Sequence, residues 1–135
     1  MSSDPVFVYV EDDPLSREVL FLTLREGMGY EQVTVFEDGA QFLAALPQMQ
    51  PAPNFFLFDI HMAPYDGFEL LARLHQEPGY EGARVVALTA SVMNEEIVKL
   101  KQAGFWGVIP KPIDPIRFPV LLQKILAGEA VWTVK

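Results

Sequence analysis

Three stretches of this chain are apolar at every position, with no polar residue alternating in: Val6-Phe7-Val8-Tyr9-Val10, Phe55-Phe56-Leu57-Phe58 and Val85-Val86-Ala87-Leu88. A strand with one wet face alternates apolar and polar side chains. A strand that does not alternate is buried on both faces, as in a sheet covered by helices on either side. Val33-Thr34-Val35-Phe36 and Gly107-Val108-Ile109 read as two further short strands, and Arg84 extends the fourth to 84–88. Segments of helical character lie between them. Asp13-Pro14 reads as an N-cap followed by proline at the first helical position. The helix it opens carries Leu15, Val19 and Leu22 on one face and runs toward Gly27 and Gly29. A second short helix is predicted over 40–46, and Pro47, Pro51 and Pro53 make the stiff connector after it. Asp66-Gly67 opens a third helix with Phe68, Leu71 and Leu74 at helical spacing. A fourth covers about 93–103 with Ile97 and Leu100 inward and Gly104 as its stop. The last falls within 114–127; Pro119 predicts an irregular first turn, with the regular helix starting near that residue. The order βα, repeated five times, predicts an α/β domain with a parallel sheet covered on both faces and right-handed crossovers.

At 135 residues the chain is expected to be a single domain, with a core over about 5–127 and a short apolar tail over 128–135 that packs back on it. Half of the residues are hydrophobic, enough for a core. The formal charge of -8 removes any broad attraction for nucleic acid or an anionic membrane surface. No cysteine is present, so disulfides, thiolate metal ligands and thiol nucleophiles are excluded. No apolar run approaches the roughly 18 residues of a membrane span, and Met-Ser-Ser-Asp-Pro lacks the features of a signal peptide. The expectation is a cytoplasmic domain that binds neither nucleic acid nor membrane directly. The initial Met just before the first strand suggests a complete short protein.

Ligands of open parallel sheets bind beyond the carboxyl ends of the strands, where the strand order reverses. That edge collects chemistry here. Glu11, Asp12 and Asp13 follow strand one; Asp59 ends strand three; Thr89 ends strand four; Pro110-Lys111-Pro112 ends strand five. Singly, each has an ordinary reading. Asp13 is the helix cap and is left out of the site. Glu11 and Asp12 read as loop acids, Thr89 as a β-former and Lys111 as a solvated lysine. Their convergence from four segments on one edge is what random surface residues would not produce. Crowded carboxylates resist ionisation unless a cation intervenes. Oxygen ligands without a Cys or His cage suit Mg²⁺, which bridges to phosphate. A carboxylate beside such an ion can attack phosphorus in line, with a lysine and a hydroxyl on the equatorial oxygens. The chemistry assembled is phosphoryl transfer onto a carboxylate.

The motifs Val10-Glu11-Asp12-Asp13-Pro14-Leu15 with Arg17, Asp59-Ile60-His61-Met62 with Asp66-Gly67, Ala87-Leu88-Thr89-Ala90 and Lys111-Pro112 resemble the receiver domain of two-component response regulators. The resemblance covers the chain from Val6 to about Ala127. It implies the flavodoxin-like doubly wound sheet of strand order 2-1-3-4-5. It implies Asp59 as the phosphoacceptor, Asp12 as a direct Mg²⁺ ligand with Glu11 assisting, and the backbone carbonyl of His61 as a third protein ligand. Thr89 and Lys111 are implied to bind the phosphoryl group, and the bond before Pro112 to be cis. The chain departs from the family in two places. Val108 stands three residues before the lysine, where an aromatic ring is usual; Phe105 and Trp106 lie upstream, out of register. Met62-Ala63-Pro64 replaces the common Met-Pro-Gly loop with the spacing to Gly67 kept. Ser91 and His61 are placed at the entrance, where the family tunes phosphoryl lifetime.

The resemblance implies a single-domain regulator that catalyses only its own phosphorylation and dephosphorylation. A histidine kinase or histidine phosphotransfer protein is expected to dock near Leu15 to Leu22 on the first helix. The surface of the fourth helix, fifth strand and fifth helix is then expected to switch for an unidentified downstream protein; a homodimer is compatible with the sequence. The alternative is a degenerate receiver acting as a phosphorylation-independent scaffold, which Val108 favours. A flavin carrier would need a Gly/Ser/Thr-rich phosphate loop where this chain places acids. An aspartyl-phosphate phosphatase would usually carry a second acid where His61 stands.

Overall fold

The computed structural model describes residues 4–129 and 131–132. Five parallel strands form one sheet: β1 (Phe7–Val10), β2 (Val33–Phe36), β3 (Phe55–Asp59), β4 (Arg84–Thr89) and β5 (Gly107–Pro110). Their order is β2-β1-β3-β4-β5, the flavodoxin-like arrangement. Helices α1 (Pro14–Leu22), α2 (Gly39–Ala45), α3 (Gly67–Gln76), α4 (Asn94–Ala103) and α5 (Arg117–Leu126) connect and follow them.

The lack of alternation now has its cause. In β1, Phe7 and Tyr9 enter one core layer, with Leu20, Leu24 and Phe118 from the α1 and α5 side. Val8 and Val10 enter the opposite layer, with Phe42, Leu70 and Leu100 from α2, α3 and α4. Successive side chains of a strand point to opposite faces, so a sheet with two cores needs apolar residues at every position. Every residue of β1 and β3 is buried, whereas edge strand β2 is only partly so.

Helix α1 departs from the sequence expectation, whereas α5 keeps the irregular entry expected of it. The buried side of α1 is carried by Leu20 and then Leu24, with Val19 partly buried against the same layer. Leu15 and Leu22 are 68% and 45% exposed, so the face expected from Leu15, Val19 and Leu22 is not the one that packs. The physical reason is helical spacing: Leu20 and Leu24, four residues apart, share one face, and Leu15 and Leu22 lie on the opposite one. The Thr23 hydroxyl donates to the Val19 carbonyl at 2.7 Å, and the chain widens into a π-helical turn over Thr23–Gly27, closed by the Met28 N–H on the Thr23 carbonyl. In α5, regular helix begins at Arg117, two residues before Pro119. Asp114 accepts from the N–H groups of Ile116 and Arg117 at 2.9 and 3.3 Å, which forms the irregular entry. Pro119 then sits in the first turn, where a missing N–H costs little.

Other boundaries follow their sequence signals. Asp66 and Glu69 form a reciprocal capping box at the start of α3. Gly104 ends α4 at φ 104°, a conformation that glycine adopts without strain. Beyond α5, Val131 pairs with Gly107 and accepts the Val108 N–H at 2.9 Å, and Trp132 packs partly buried against the α4 side. The expected return of the tail is seen at these two residues; residues 130 and 133–135 lie outside the described residues. No helix of the described residues is long and apolar enough to cross a membrane.

Candidate functional site

The sheet reverses direction of growth between β1 and β3, and their carboxyl ends place Glu11, Asp12 and Asp59 side by side. Carboxylate oxygens of the three lie within 4.8 Å of one another. Glu11 and Asp59 are buried and Asp12 is exposed. Lys111, just past β5, reaches across: its Nζ lies 2.8 Å from Glu11 Oε1 and 3.4 Å from Asp59 Oδ2. The Lys111–Pro112 peptide is cis, and the Lys111 N–H donates to the Thr89 carbonyl at 2.9 Å. Thr89 is fully buried at the end of β4, its hydroxyl oxygen accepting the Ser91 N–H at 3.0 Å. His61 donates its N–H to Asp59 Oδ1 at 3.3 Å, and its side chain is exposed. Asp13 stands apart from the acid cluster as expected. Its Oδ2 caps α1 through the Ser16 N–H and hydroxyl at 2.8 and 2.7 Å, and those bonds hold its carboxyl below the usual carboxylate range. Val108 is fully buried in the α2–α4 side layer. Phe105 is also core, its ring edge-on to Phe68 at 5.7 Å, so it does not take the place of the missing ring.

Two contributors were not assigned a role from sequence. The Arg17 guanidinium donates to the Glu11 carbonyl at 2.9 Å and lies 3.7 Å from Glu37, tying the acid-bearing loop to α1. The Tyr9 hydroxyl donates to Glu11 Oε1 at 2.9 Å from within the core. The signal for it was present: a buried phenol must find a partner, and position 9 shares a face with position 11. Burial and then the Glu11 charge push that phenol well above its ordinary value, so it keeps the proton that it donates.

Burial pushes the Glu11 carboxyl above its ordinary 4.5, and the adjacent Asp59 adds to the rise; Lys111 opposes it without overcoming it. Burial also works against the Lys111 ammonium, but Glu11 and Asp59 outweigh it and hold the lysine above its ordinary 10.5. For an acid whose folded pKa is raised, the stability contribution is complete below the unfolded value and is lost as pH climbs through the folded one. The protein without divalent ions is therefore expected to lose stability relative to Glu11→Gln as pH rises from 4.5 through the raised value. Urea denaturation of both proteins at stepped pH checks this, and a difference that grows in the wild type's favour would contradict it. The lysine's contribution is complete below 10.5 and lost above it by the same rule.

The donor set is all oxygen, two of its carboxylates are buried beside each other, and one of them resists ionisation. That combination fits a hard divalent cation such as Mg²⁺. Gly67 fixes the backbone beneath it. A Cβ there would meet Ile60 Cδ1 at 2.6 Å, Ile60 Cα at 2.9 Å and the Asp59 carbonyl at 3.0 Å. Gly67→Ala is expected to cost roughly 1–3 kcal/mol by overpacking against backbone, read as a lower urea midpoint. An unchanged midpoint would mean that α3 can shift away freely.

The sequence profile described as response regulator receiver domain matches residues 7–123. An "uncharacterized 14.6 kDa protein in sodA1 3'region" from Leptolyngbya boryana is 31% identical over 115 residues, 85% of each chain. Chemotaxis protein CheY-3 of Vibrio cholerae is 28% identical over 86% of this chain and 87% of its own. The signal transduction histidine-protein kinase BarA of Escherichia coli is 28% identical over 90% of this chain, which spans only 13% of that kinase. Among solved structures, Vibrio cholerae chemotaxis protein CheY4 superposes with a TM-score of 0.81 at 24% identity, over 91% of this chain and 99% of its own.

Proposed function

Because the chain belongs to the response regulator receiver domain family, we propose that it accepts a phosphoryl group on Asp59 from a phosphohistidine. The observation that carries this is the ammonium of Lys111 held between the two buried carboxylates of Glu11 and Asp59 at the sheet's switch point. Asp59 attacks phosphorus in line; the N–P bond breaks and the electron pair leaves with the donor imidazole. Lys111 moves its positive charge from Glu11 onto the phosphoryl oxygens, and the Thr89 hydroxyl turns from Ser91 to donate to them. Glu11, Asp12, Asp59 and the His61 carbonyl would hold Mg²⁺, which supplies positive charge against the transferring group. The domain thus catalyses only its own phosphorylation and dephosphorylation, in the cytoplasm.

The exposed Leu15 and Leu22 on α1 suit docking of a histidine kinase or histidine phosphotransfer protein beside the acids. Output then runs through the α4-β5-α5 face, where Val98, Ile116 and Val120 are exposed, to a downstream protein or a second copy. Charge arriving on Asp59 biases that face through Thr89 and Lys111, a local electrostatic event with a distant readout. Phosphoramidate, a small N–P donor, tests the reaction. Uptake of one phosphoryl group with Mg²⁺ and none with EDTA is expected; no uptake under either condition would contradict it.

The second reading is a scaffold that binds partners without phosphorylation. Val108 favours it, since no ring stands there to swing when Thr89 is recruited. Equal partner affinity of the unmodified and phosphorylated protein would establish it.

A further inference from the structure

We propose that Tyr9 is a positioning residue for the proposed cation site, its hydroxyl deciding which oxygen of Glu11 faces the ion. The inference rests on the reading of Glu11 as part of that site. A carboxylate oxygen has about two lone-pair positions. Glu11 Oε1 accepts from Tyr9 at 2.9 Å and is paired with the Lys111 ammonium at 2.8 Å, so both of its positions are taken. Among the described residues Oε2 accepts only the Asp13 N–H, at 3.2 Å, which leaves one position open. A cation or its water therefore meets Glu11 through Oε2.

The two donors on Oε1 differ in kind. Tyr9 is fully buried in the layer with Phe7 and Leu20, and its ring is held by packing. Lys111 is partly exposed on a flexible stem, and the proposed reaction draws it away. When it leaves, Tyr9 keeps Oε1 hydrogen-bonded, so the buried carboxylate neither loses its last partner on that side nor rotates to offer the wrong oxygen. Partners behind a metal ligand commonly act this way, and losing one weakens metal binding.

The test compares wild type, Tyr9→Phe and Phe7→Leu. Tyr9→Phe keeps the ring, and Glu11 retains two donors, so the fold is retained. Phe7→Leu disturbs the same core layer without touching Glu11. Mn²⁺ affinity is read from the electron paramagnetic resonance signal of the free ion, with Mg²⁺ as competitor, and stability by urea denaturation. Tyr9→Phe is expected to bind both ions about tenfold more weakly. The Mg²⁺ concentration needed for half-maximal phosphorylation by acetyl phosphate should rise equally, with the maximal rate retained. Phe7→Leu should lose stability and keep its ion affinity. If the wild type binds and Tyr9→Phe matches it, the inference fails while the cation site stands. Equal weakening in Phe7→Leu would assign the effect to core stability and overturn the inference. A wild type that binds neither ion would overturn the cation site itself, and the inference with it.

Discussion

Asp59→Asn is expected to fold normally and to accept phosphoryl groups at least on the order of 10⁴-fold more slowly than the wild type, from any small donor. An amide offers no anionic oxygen to attack phosphorus, and two of the neighbouring acids, Glu11 and Asp13, are committed elsewhere. Glu11 is bonded to Tyr9, Lys111 and the Asp13 N–H, and Asp13 to Ser16. The stability change should be small, within roughly 1 kcal/mol, because two opposing effects are removed together. Asp59 loses its attraction to Lys111 at 3.4 Å, and the cluster loses one of its crowded carboxylates. Intact mass and urea denaturation read the two quantities. Wild-type rates in the variant would place the acceptor on another carboxylate.

Lys111→Met should be damaging in both respects. Removing one member of a buried ion pair costs about 3–5 kcal/mol, because the partner charge is left uncompensated. Here two partners are stranded, Glu11 with no exposure and Asp59 with almost none. The cost should shrink on acidification, since the already raised Glu11 carboxyl takes up a proton once its cation is gone. Mg²⁺ should recover part of the stability by restoring positive charge between the acids. It should not restore the rate, which is expected to fall 10²–10³-fold for want of a cation on the phosphoryl oxygens. Equal stability of variant and wild type above neutral pH would show that the lysine is not what holds the two acids together.

The fold was legible because the unbroken apolar runs had one physical reading. Residues 7–10 and 55–58 serve two core layers at once, which only a sheet covered on both faces provides. The strand ends then carried the candidate site: Glu11, Asp12, Asp59, Thr89 and Lys111 come from four elements yet meet at one edge. What was not legible depended on local backbone detail. Between 15 and 24 the chain offers apolar residues around most of the helical circumference, so periodicity could not decide that Leu20 and Leu24 pack while Leu15 and Leu22 face water. The π-helical turn that follows over Thr23–Gly27 has no apolar signature either. Tyr9 was hidden for the opposite reason. It fits the strand pattern so well as a core residue that nothing in the pattern marks its hydroxyl, although Glu11 two residues on is its partner.

The central claim is that Asp59 takes a phosphoryl group as an acyl phosphate. Its most direct test is wild-type protein incubated with acetyl phosphate and Mg²⁺, reduced with borohydride, digested and mapped by mass spectrometry. Borohydride converts an aspartyl phosphate to homoserine and spares an unmodified carboxylate. Conversion at position 59 alone, abolished by EDTA, is the predicted result. Conversion at position 12 or 13 instead, or at no position, would contradict the account.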